Sequence, residues 1–496
     1  MKASSIEVRN PVDGELLGSV PALEPEAVAE LARRGRAAQP AWEELGFDGR
    51  AKVLTRLRHW LLDNADRVIE TIVSETGKAY DDAQSLELAY TVSALSFWAN
   101  RAGDYLAEHR SFARSPLVAG RRLVTRYSPR GLIGVIGPWN YPLLNSFGDV
   151  IPALAAGNSV VLKPSELTPL TSLLIAEALA ECGLPDDVFA VATGAGPTAE
   201  ALIDLVDFVM FTGSTATGRR VAARAAERLT PCSLELGGKD ALIVLKGAPL
   251  ERAANVAVFY GLINAGQSCT SIERIYAEAS ICDDLTERIV AKVRALRVGA
   301  PDGPGSVDVG AVTSPRQLEI IEAHVADALA KGARVLVGGH RREGGGSFFE
   351  PTVLVDVDHT MLCMTEETFG PTLPVMAVSG ADEAVALVND SPMGLSAAVF
   401  AADTERGEQL ARRLDVGAVC VNDALVNYFA LEVPMGGHRQ SGIGVRHGPE
   451  GIRKYCQTQT ILISPRRLPA REPQFYPRSP ASSKLVRGLL RVLYRR

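Results

Sequence analysis

Apolar and polar positions follow two distinct styles along this chain. Residues 25 to 110 read mainly as helices. In Arg50 to Ile72 the apolar side chains Val53, Leu54, Leu57, Leu61, Leu62, Val68 and Ile72 recur at steps of roughly 3 to 4, which predicts a helical face. From Gly131 the pattern changes to short apolar runs that end at Gly or Pro, such as GLIGVIG, SVVLKP, FAVATG and DFVMFTGS. These alternate with helical stretches such as Leu170 to Cys182, which predicts parallel strands covered by helices. A second series follows Gly237, with ALIVLK, RIYAEA, ARVLVGG and TLPVMAV as strands and Asn255 to Asn264 and Leu285 to Leu296 as helices. The β-prone stretch Leu117 to Tyr127 predicts a hairpin. The expected class is α/β with two α/β domains.

At 496 residues the chain is too long for one small core, which agrees with that division. With 47% hydrophobic residues, 22% charged and a net charge of −6, the composition is globular and gives no reason to expect a nucleic-acid partner. The seven cysteines are widely spaced with no C-x-x-C pair, which argues against a disulfide framework or a zinc site and favours a reducing compartment. The seven histidines form no H-E-x-x-H pattern, so no catalytic metal is expected. The polar N-terminus MKASSIEVRNPVDGE lacks the apolar core of a signal peptide, and no run approaches ~18 apolar residues. A cytoplasmic protein is expected.

Chemistry concentrates in short motifs. Cys269 stands in Asn-Ala-Gly-Gln-Ser-Cys-Thr, among small and polar neighbours where an inert core cysteine would have apolar ones. Asn140 lies in Pro-Trp-Asn-Tyr-Pro, whose prolines restrict the loop and fix its amide. Glu235 opens Glu-Leu-Gly-Gly-Lys, where Gly237 and Gly238 permit a tight backbone course. In Phe211-Thr212-Gly213-Ser214 an apolar run passes through a small-residue turn into a helix-compatible stretch, which aims backbone N–H groups at a site for phosphate. Lys163-Pro164-Ser165-Glu166 follows another strand, and Glu367-Thr368-Phe369-Gly370-Pro371 lies beyond the second series.

In this order, with Glu235 34 positions before Cys269 and Asn140 23 before Lys163, the motifs resemble the NAD(P)-dependent aldehyde dehydrogenase superfamily over about residues 7 to 464. The missing G-x-G-x-x-G agrees, since that family grips its cofactor differently from classical dehydrogenases. The resemblance implies an aldehyde dehydrogenase-like fold. Its cofactor-binding domain would be residues 1–112 and 135–237, its catalytic domain 238–435, and its oligomerisation arm 113–134 with 436–464. The arm's hairpin would pair with Cys456 to Ile463, and the protein would be a homodimer or homotetramer.

It also implies the roles. Cys269 is the nucleophile, and Asn140 with the Cys269 N–H stabilises the oxyanion. Glu235 activates the water that hydrolyses the thioester, a residue that relatives passing the acyl group to coenzyme A typically lack. Lys163 and Glu166 hold the adenosine ribose, and a carboxylate there repels a 2′-phosphate, which favours NAD while leaving NADP possible. Trp139, Gly213 and Ser214 complete the cofactor site, with Glu367 at the nicotinamide ribose and Phe369 beside the ring. A non-enzymatic dinucleotide-binding relative could have lost the nucleophile, base or amide, and all three are present. The chain departs from the family at Met435, at Arg439, and at Val445-Arg446, where Arg-Glu is usual.

The neighbourhood from Cys269 to Arg274 is similar to that of the branch containing carotenoid- and apolar-aldehyde dehydrogenases, which implies an apolar substrate. A more distant similarity is to succinate-semialdehyde dehydrogenases, the alternative. Residues 465–496 carry nine Lys or Arg and one acid, Glu472. From Lys484 to Arg496, Arg487, Arg491 and Arg495 recur opposite Leu485, Leu489, Leu490 and Leu493, which predicts a basic amphipathic helix suited to peripheral contact with an anionic membrane.

Overall fold

In the computed structural model the described residues are 5–115, 118–465, 470, 472 and 475–494. The chain divides into two units, Met1–Tyr105 with Pro129–Tyr455, and Leu106–Ser128 with Cys456–Arg496.

The first unit begins with two paired strands, Ser5–Arg9 and Leu16–Pro21, and then helices. The periodic stretch Arg50 to Ile72 is two helices, Gly46–Asp63 and Ala65–Thr76. Asn64 separates them: its non-helical backbone (φ −114°, ψ 27°) ends the first, and its side-chain amide donates back to the Trp60 carbonyl at 2.9 Å. Val53, Leu54, Leu57, Leu61, Val68 and Ile72 are buried, but Leu62 is exposed, about 100° round the helix from Leu61.

The apolar runs after Gly131 form a six-stranded sheet in the order Gly442–Ile443, Cys232–Glu235, Phe208–Thr212, Leu132–Ile136, Ser159–Lys163, Phe189–Val191. All pairs are parallel except the first. Leu132–Ile136, Ser159–Lys163 and Phe208–Thr212 are buried at every position, which explains why they read as unbroken apolar runs. Val28 and Ala32 of helix Pro25–Glu44 and Val221 of helix Thr215–Glu227 pack onto one core with Leu132, Val161 and Val209.

The second series forms a seven-stranded sheet in the order Arg334–Val337, Thr352–Val355, Thr372–Val378, Arg274–Glu278, Ala241–Val244, Ser396–Phe400, Ala418–Val421. Only the first pair is antiparallel. Helices Leu250–Leu262 and Ala279–Arg294 cover one face, and Pro315–Ala330, Ala381–Asn389 and Thr404–Ala411 lie among those on the other.

The second unit holds a three-stranded sheet in the order Cys456–Ile463, Arg122–Pro129, His109–Ser111. The hairpin is therefore wider than Leu117 to Tyr127. Its first arm is His109–Ser111, which lacks a β-prone sequence and takes its strand form from pairing with Leu123 to Thr125. Leu117 lies outside the described residues. Helix Pro480–Tyr494 buries none of its residues, and Leu485, Leu489, Leu490 and Leu493 are all exposed. Arg495 and Arg496 lie outside the described residues. Among the described residues no helix is long and apolar enough to cross a membrane.

Candidate active site

The parallel registers decide which residues can meet. Ile136 is level with Lys163 and Phe211, and Thr212 with Glu235, so the carboxyl ends of four strands of the first sheet form one edge. Beyond that edge run Trp139 and Asn140, Glu166, Gly213 and Ser214. The second sheet contributes from the opposite, amino ends of its strands. Cys269 precedes strand Arg274–Glu278, and Glu367 and Phe369 precede Thr372–Val378. Short links from a strand end to a strand start thus converge on one cavity of about 250 Å³, lined by Trp139, Asn140, Gly213, Ser214, Glu235, Cys269, Glu367 and Phe369. Lys163 and Glu166 do not line it. They pair with each other at 3.2 Å on the next strand end, with Lys163 buried and Glu166 half exposed.

Cys269 is half-buried and also opens on a second, narrow cavity lined by Leu86, Tyr141, Leu144, Leu425, Tyr428 and Phe429. No charged side chain lines this second space. The backbone before the cysteine is unusual: Asn264, Ala265 and Gly266 all lie in the left-handed region, with φ of 52°, 54° and 71°. A Cβ on Gly266 would stand 2.1 Å from the Gly370 carbonyl oxygen, so glycine is required there twice over. The glycines after Glu235 serve close approach instead of a left-handed turn. A Cβ on Gly237 would meet the Glu367 carboxylate at 2.3 Å, and one on Gly238 the Cys269 carbonyl at 2.5 Å.

Asn140 is held by more than its flanking prolines. Its carbonyl accepts from Lys78 Nζ at 2.8 Å and Asn264 Nδ2 at 3.0 Å, and its Nδ2 donates to the Gln267 carbonyl at 3.0 Å. An amide nitrogen carries two hydrogens, so one remains for the cavity. Lys78 is itself ion-paired with Glu87, both fully buried, and Glu87 also accepts from the Leu143 and Leu144 N–H groups at 2.8 and 3.2 Å. Those N–H groups open the π-helix Pro142–Phe147, where no intrahelical partner exists for them.

A second buried carboxylate, Glu273, accepts from Lys239 Nζ at 2.6 Å and from the Thr368 and Phe369 N–H groups, each at 2.8 Å. It thereby holds Phe369 at φ 52° and its ring edge-on to Trp139, with centroids 5.4 Å apart. Glu367 accepts from the Gly238 N–H at 3.0 Å. On the first sheet, Ser214 caps helix Thr215–Glu227 by accepting from Thr217 N.

Burial dominates the electrostatics. It pushes the Glu235 carboxyl up to about 7 against the pull of Arg446 and Lys454, and the Cys269 thiol up to about 12 against Arg446. Glu367 is pushed up to about 8, by burial and then by the nearby Glu273. Glu235 Oε1 has no hydrogen-bond partner among the described residues. A buried carboxylate that is poised near neutrality and bonded to nothing is available to take a proton from water.

Sequence reasoning missed Lys78, Glu87 and Arg446 as members of this assembly and gave Glu273 no part in it. Lys78 and Glu87 sit in the helical N-terminal region, where a charge reads as a solvated face. Arg446 had a signal, since it departs from the family pattern. Among the described residues no group of three or more His, Cys, Asp or Glu could hold a metal ion.

A thiol and an unpartnered carboxylate on one strand-edge cavity suit an enzyme with a cysteine nucleophile. The aldehyde dehydrogenase family model matches residues 1–461, and the chain belongs to that family, enzymes that oxidise aldehydes with NAD or NADP. A Mycobacterium ulcerans protein named "Putative succinate-semialdehyde dehydrogenase [NADP(+)] 2" is 41% identical over 454 residues, 91% of this chain and 87% of the relative. The 4,4'-diapolycopene aldehyde oxidase of a Methylomonas species is 40% identical over 496 residues, 99% of this chain and 92% of the relative. The two identities are nearly equal, so the semialdehyde relatives are not the more distant ones. The crystal structure of a Mycobacterium tuberculosis aldehyde dehydrogenase complexed with NAD+ has a TM-score of 0.89 at 34% identity, covering 94% of this chain and 96% of that one.

The left-handed run before Cys269 is a direct target. Gly266→Ala combines an unfavourable φ with a backbone collision and should lower stability by roughly 2 kcal/mol or more. A lower urea midpoint is the expected reading, and an unchanged midpoint with full turnover would contradict this geometry.

Proposed function

We propose that this enzyme oxidises an apolar aldehyde to the carboxylic acid with NAD as the preferred acceptor. Cys269, Asn140 and the unpartnered Glu235 carboxylate around one cavity carry the reading. The Cys269 thiolate attacks the aldehyde carbon, forming the S–C bond and an alkoxide. The spare Asn140 N–H and the Cys269 backbone N–H hydrogen-bond that oxygen. NAD, when bound, supplies the hydride acceptor that converts the thiohemiacetal into a thioester. Glu235 then takes a proton from water, the hydroxide oxygen bonds to the acyl carbon, and the S–C bond breaks to release the acid and the thiolate.

The residues present suit a dinucleotide. Trp139, Glu367 and Phe369 would hold its nicotinamide end and Gly213 with Ser214 its phosphates, while the Lys163 and Glu166 pair would bind ribose hydroxyls. The Glu166 carboxylate supports NAD over NADP, although the mycobacterial relative's name specifies NADP(+). Residues 1–112 with 135–237 would form the cofactor domain and 238–435 the catalytic domain. Residues 113–134 with 436–464 would be the arm of a homodimer or homotetramer.

The uncharged narrow cavity supports the apolar substrate. A semialdehyde carboxylate needs a cation with a free donor. Arg446, behind the cavity wall, has five N–H groups, and Asp149 takes two of them while Tyr428, Asn145 and Thr212 take the others. The tail supports the same reading, because helix Pro480–Tyr494 keeps its leucine face exposed beside Lys484, Arg487 and Arg491. We propose that it lies on anionic membrane, where a lipophilic aldehyde also partitions.

Cys269→Ala should abolish oxidation with NAD binding intact. Glu235→Gln should give one NADH burst and then stall; steady turnover without a burst would remove Glu235 as the deacylating base. In the native enzyme the deacylation rate should rise about tenfold per pH unit below 7 and level off above it, because the base must be ionised and its carboxyl titrates at about 7.

Comparing kcat/KM for succinic semialdehyde and a long-chain aliphatic aldehyde tests the substrate. The aliphatic aldehyde should be favoured by at least about tenfold, the scale of a few buried methylenes. A preference for succinic semialdehyde would overturn the apolar reading.

Full-length protein should co-sediment with anionic vesicles, less so as salt rises, while a form ending at Ser464 stays in the supernatant. Equal behaviour of the two forms would exclude a membrane role for the tail.

A further inference from the structure

We propose that the buried Arg446 and Asp149 pair is a positioning device for both catalytic groups, its guanidinium stabilising the charged forms of Glu235 and Cys269 from behind the cavity wall. This rests on the roles of Glu235 and Cys269 proposed above.

The pair is built for permanence. Arg446 and Asp149 side chains are 4% and 5% exposed, and they meet through two parallel bonds, Nε to Oδ1 at 3.0 Å and Nη2 to Oδ2 at 2.7 Å. Asp149 lies in helix Gly148–Ala155, directly after the π-helix that follows Asn140. Arg446 comes from the segment after strand Gly442–Ile443, whose Gly442 is level with Glu235.

The remaining donors aim at the cavity wall. Nη1 bonds Tyr428 OH at 3.1 Å and Asn145 Oδ1 at 3.4 Å, and Nη2 bonds Thr212 Oγ1. Thr212 is the register partner of Glu235, and Asn145 and Thr212 line the cavity that holds Glu235 and Cys269. Tyr428 and Asn145 line the narrow cavity on the other side of Cys269. One guanidinium therefore stands behind both reacting groups without lining either cavity.

The other groups facing this site leave Arg446 its role. For Cys269, Arg446 is the nearby charge favouring the thiolate, against the carboxyls of Glu367, Asp240 and Glu235. For Glu235, Arg446 acts ahead of Lys454, with Asp149 opposing, while burial pulls Lys454 down to about 8. His447 is pulled down to about 3 and is neutral where the enzyme works; its Nε2 meets Tyr90 OH at 2.8 Å. The phenols of Tyr90, Tyr428 and Tyr455 are pushed up by burial and carry no charge. With Asp149 fixing the guanidinium, ionised Glu235 completes a balance of two cations and two carboxylates, and protonating it leaves a buried excess of positive charge.

The test removes both charges at once, because deleting Arg446 alone would strand Asp149. Two neutral pairs are made, Arg446→Met with Asp149→Leu, and Arg446→Gln with Asp149→Asn, the second keeping hydrogen-bonding groups in place. Arg446→Lys keeps the charge and serves as the rescue. In either neutral pair that folds and binds NAD, the acid limb of deacylation should move up by about one pH unit, a roughly tenfold loss below pH 7 with the NADH burst retained. Alkylation of Cys269 by iodoacetamide, followed on its own peptide without aldehyde, should slow about tenfold at fixed pH for the same reason. Arg446→Lys should restore both profiles.

A folded neutral pair with an unmoved acid limb and unchanged alkylation would reduce these residues to structural support and overturn the proposal. Failure of Arg446→Lys to restore either profile would also overturn it. If the native enzyme oxidises no aldehyde, the catalytic reading itself fails, and the alkylation profile still reports on Arg446 and Cys269.

Discussion

Charges taken out of water must be paired and hydrogen-bonded, and this molecule meets that demand with backbone and side-chain groups of the segments around the candidate site. Glu87 with Lys78 is satisfied by the start of the Pro142–Phe147 helix and the Asn140 carbonyl. Glu273 with Lys239 is satisfied by the Thr368 and Phe369 amides. Asp149 with Arg446 is satisfied by side chains of the cavity wall. Breaking one member of such a pair costs on the order of 3–5 kcal/mol, comparable with much of a domain's net stability.

In the proposed mechanism that rigidity has a chemical use. Oxyanion stabilisation depends on donors already in position before charge develops, and an Asn on a free turn would have to be ordered during the reaction. Here the Asn140 peptide is fixed from two sides, by Lys78 and Asn264, while its side chain is anchored on Gln267. The same segment carries the left-handed run that presents Cys269. The left-handed backbone before Cys269 and the support of Asn140 thus share a few residues, and the surrounding buried hydrogen bonds over-determine both.

The contrast between the two cavities at Cys269 separates the tasks. The larger one is ringed by polar and aromatic groups from both sheets, the narrow one by leucines and aromatics without a charge. The Cys269 thiol stands at their junction. Because burial pushes the Cys269 thiol up to about 12 and the Glu235 carboxyl up to about 7, the buried Arg446 guanidinium is the charge that opposes burial at both.

The sequence by itself determined the α/β class, the strands from Gly131 onward, and Cys269, Asn140 and Glu235 as the residues to watch, because runs buried on both faces and motifs at strand ends are local signals. It also determined the amphipathic pattern of the tail, since helical period is local as well. It placed the hairpin too narrowly, because His109–Ser111 is a strand only through its partner. The helical period of Arg50 to Ile72 does not show the break at Asn64, because a side chain that folds back on Trp60 leaves no mark on periodicity. Only the tertiary structure decided that Lys78, Glu87, Glu273 and Arg446 belong to the site, that Arg446 has no donor left for a substrate, and that Lys163 and Glu166 stand apart from the catalytic cavity. Those facts depend on which strand ends lie level and on which charges are buried together, and neither quantity exists until residues hundreds of positions apart are packed.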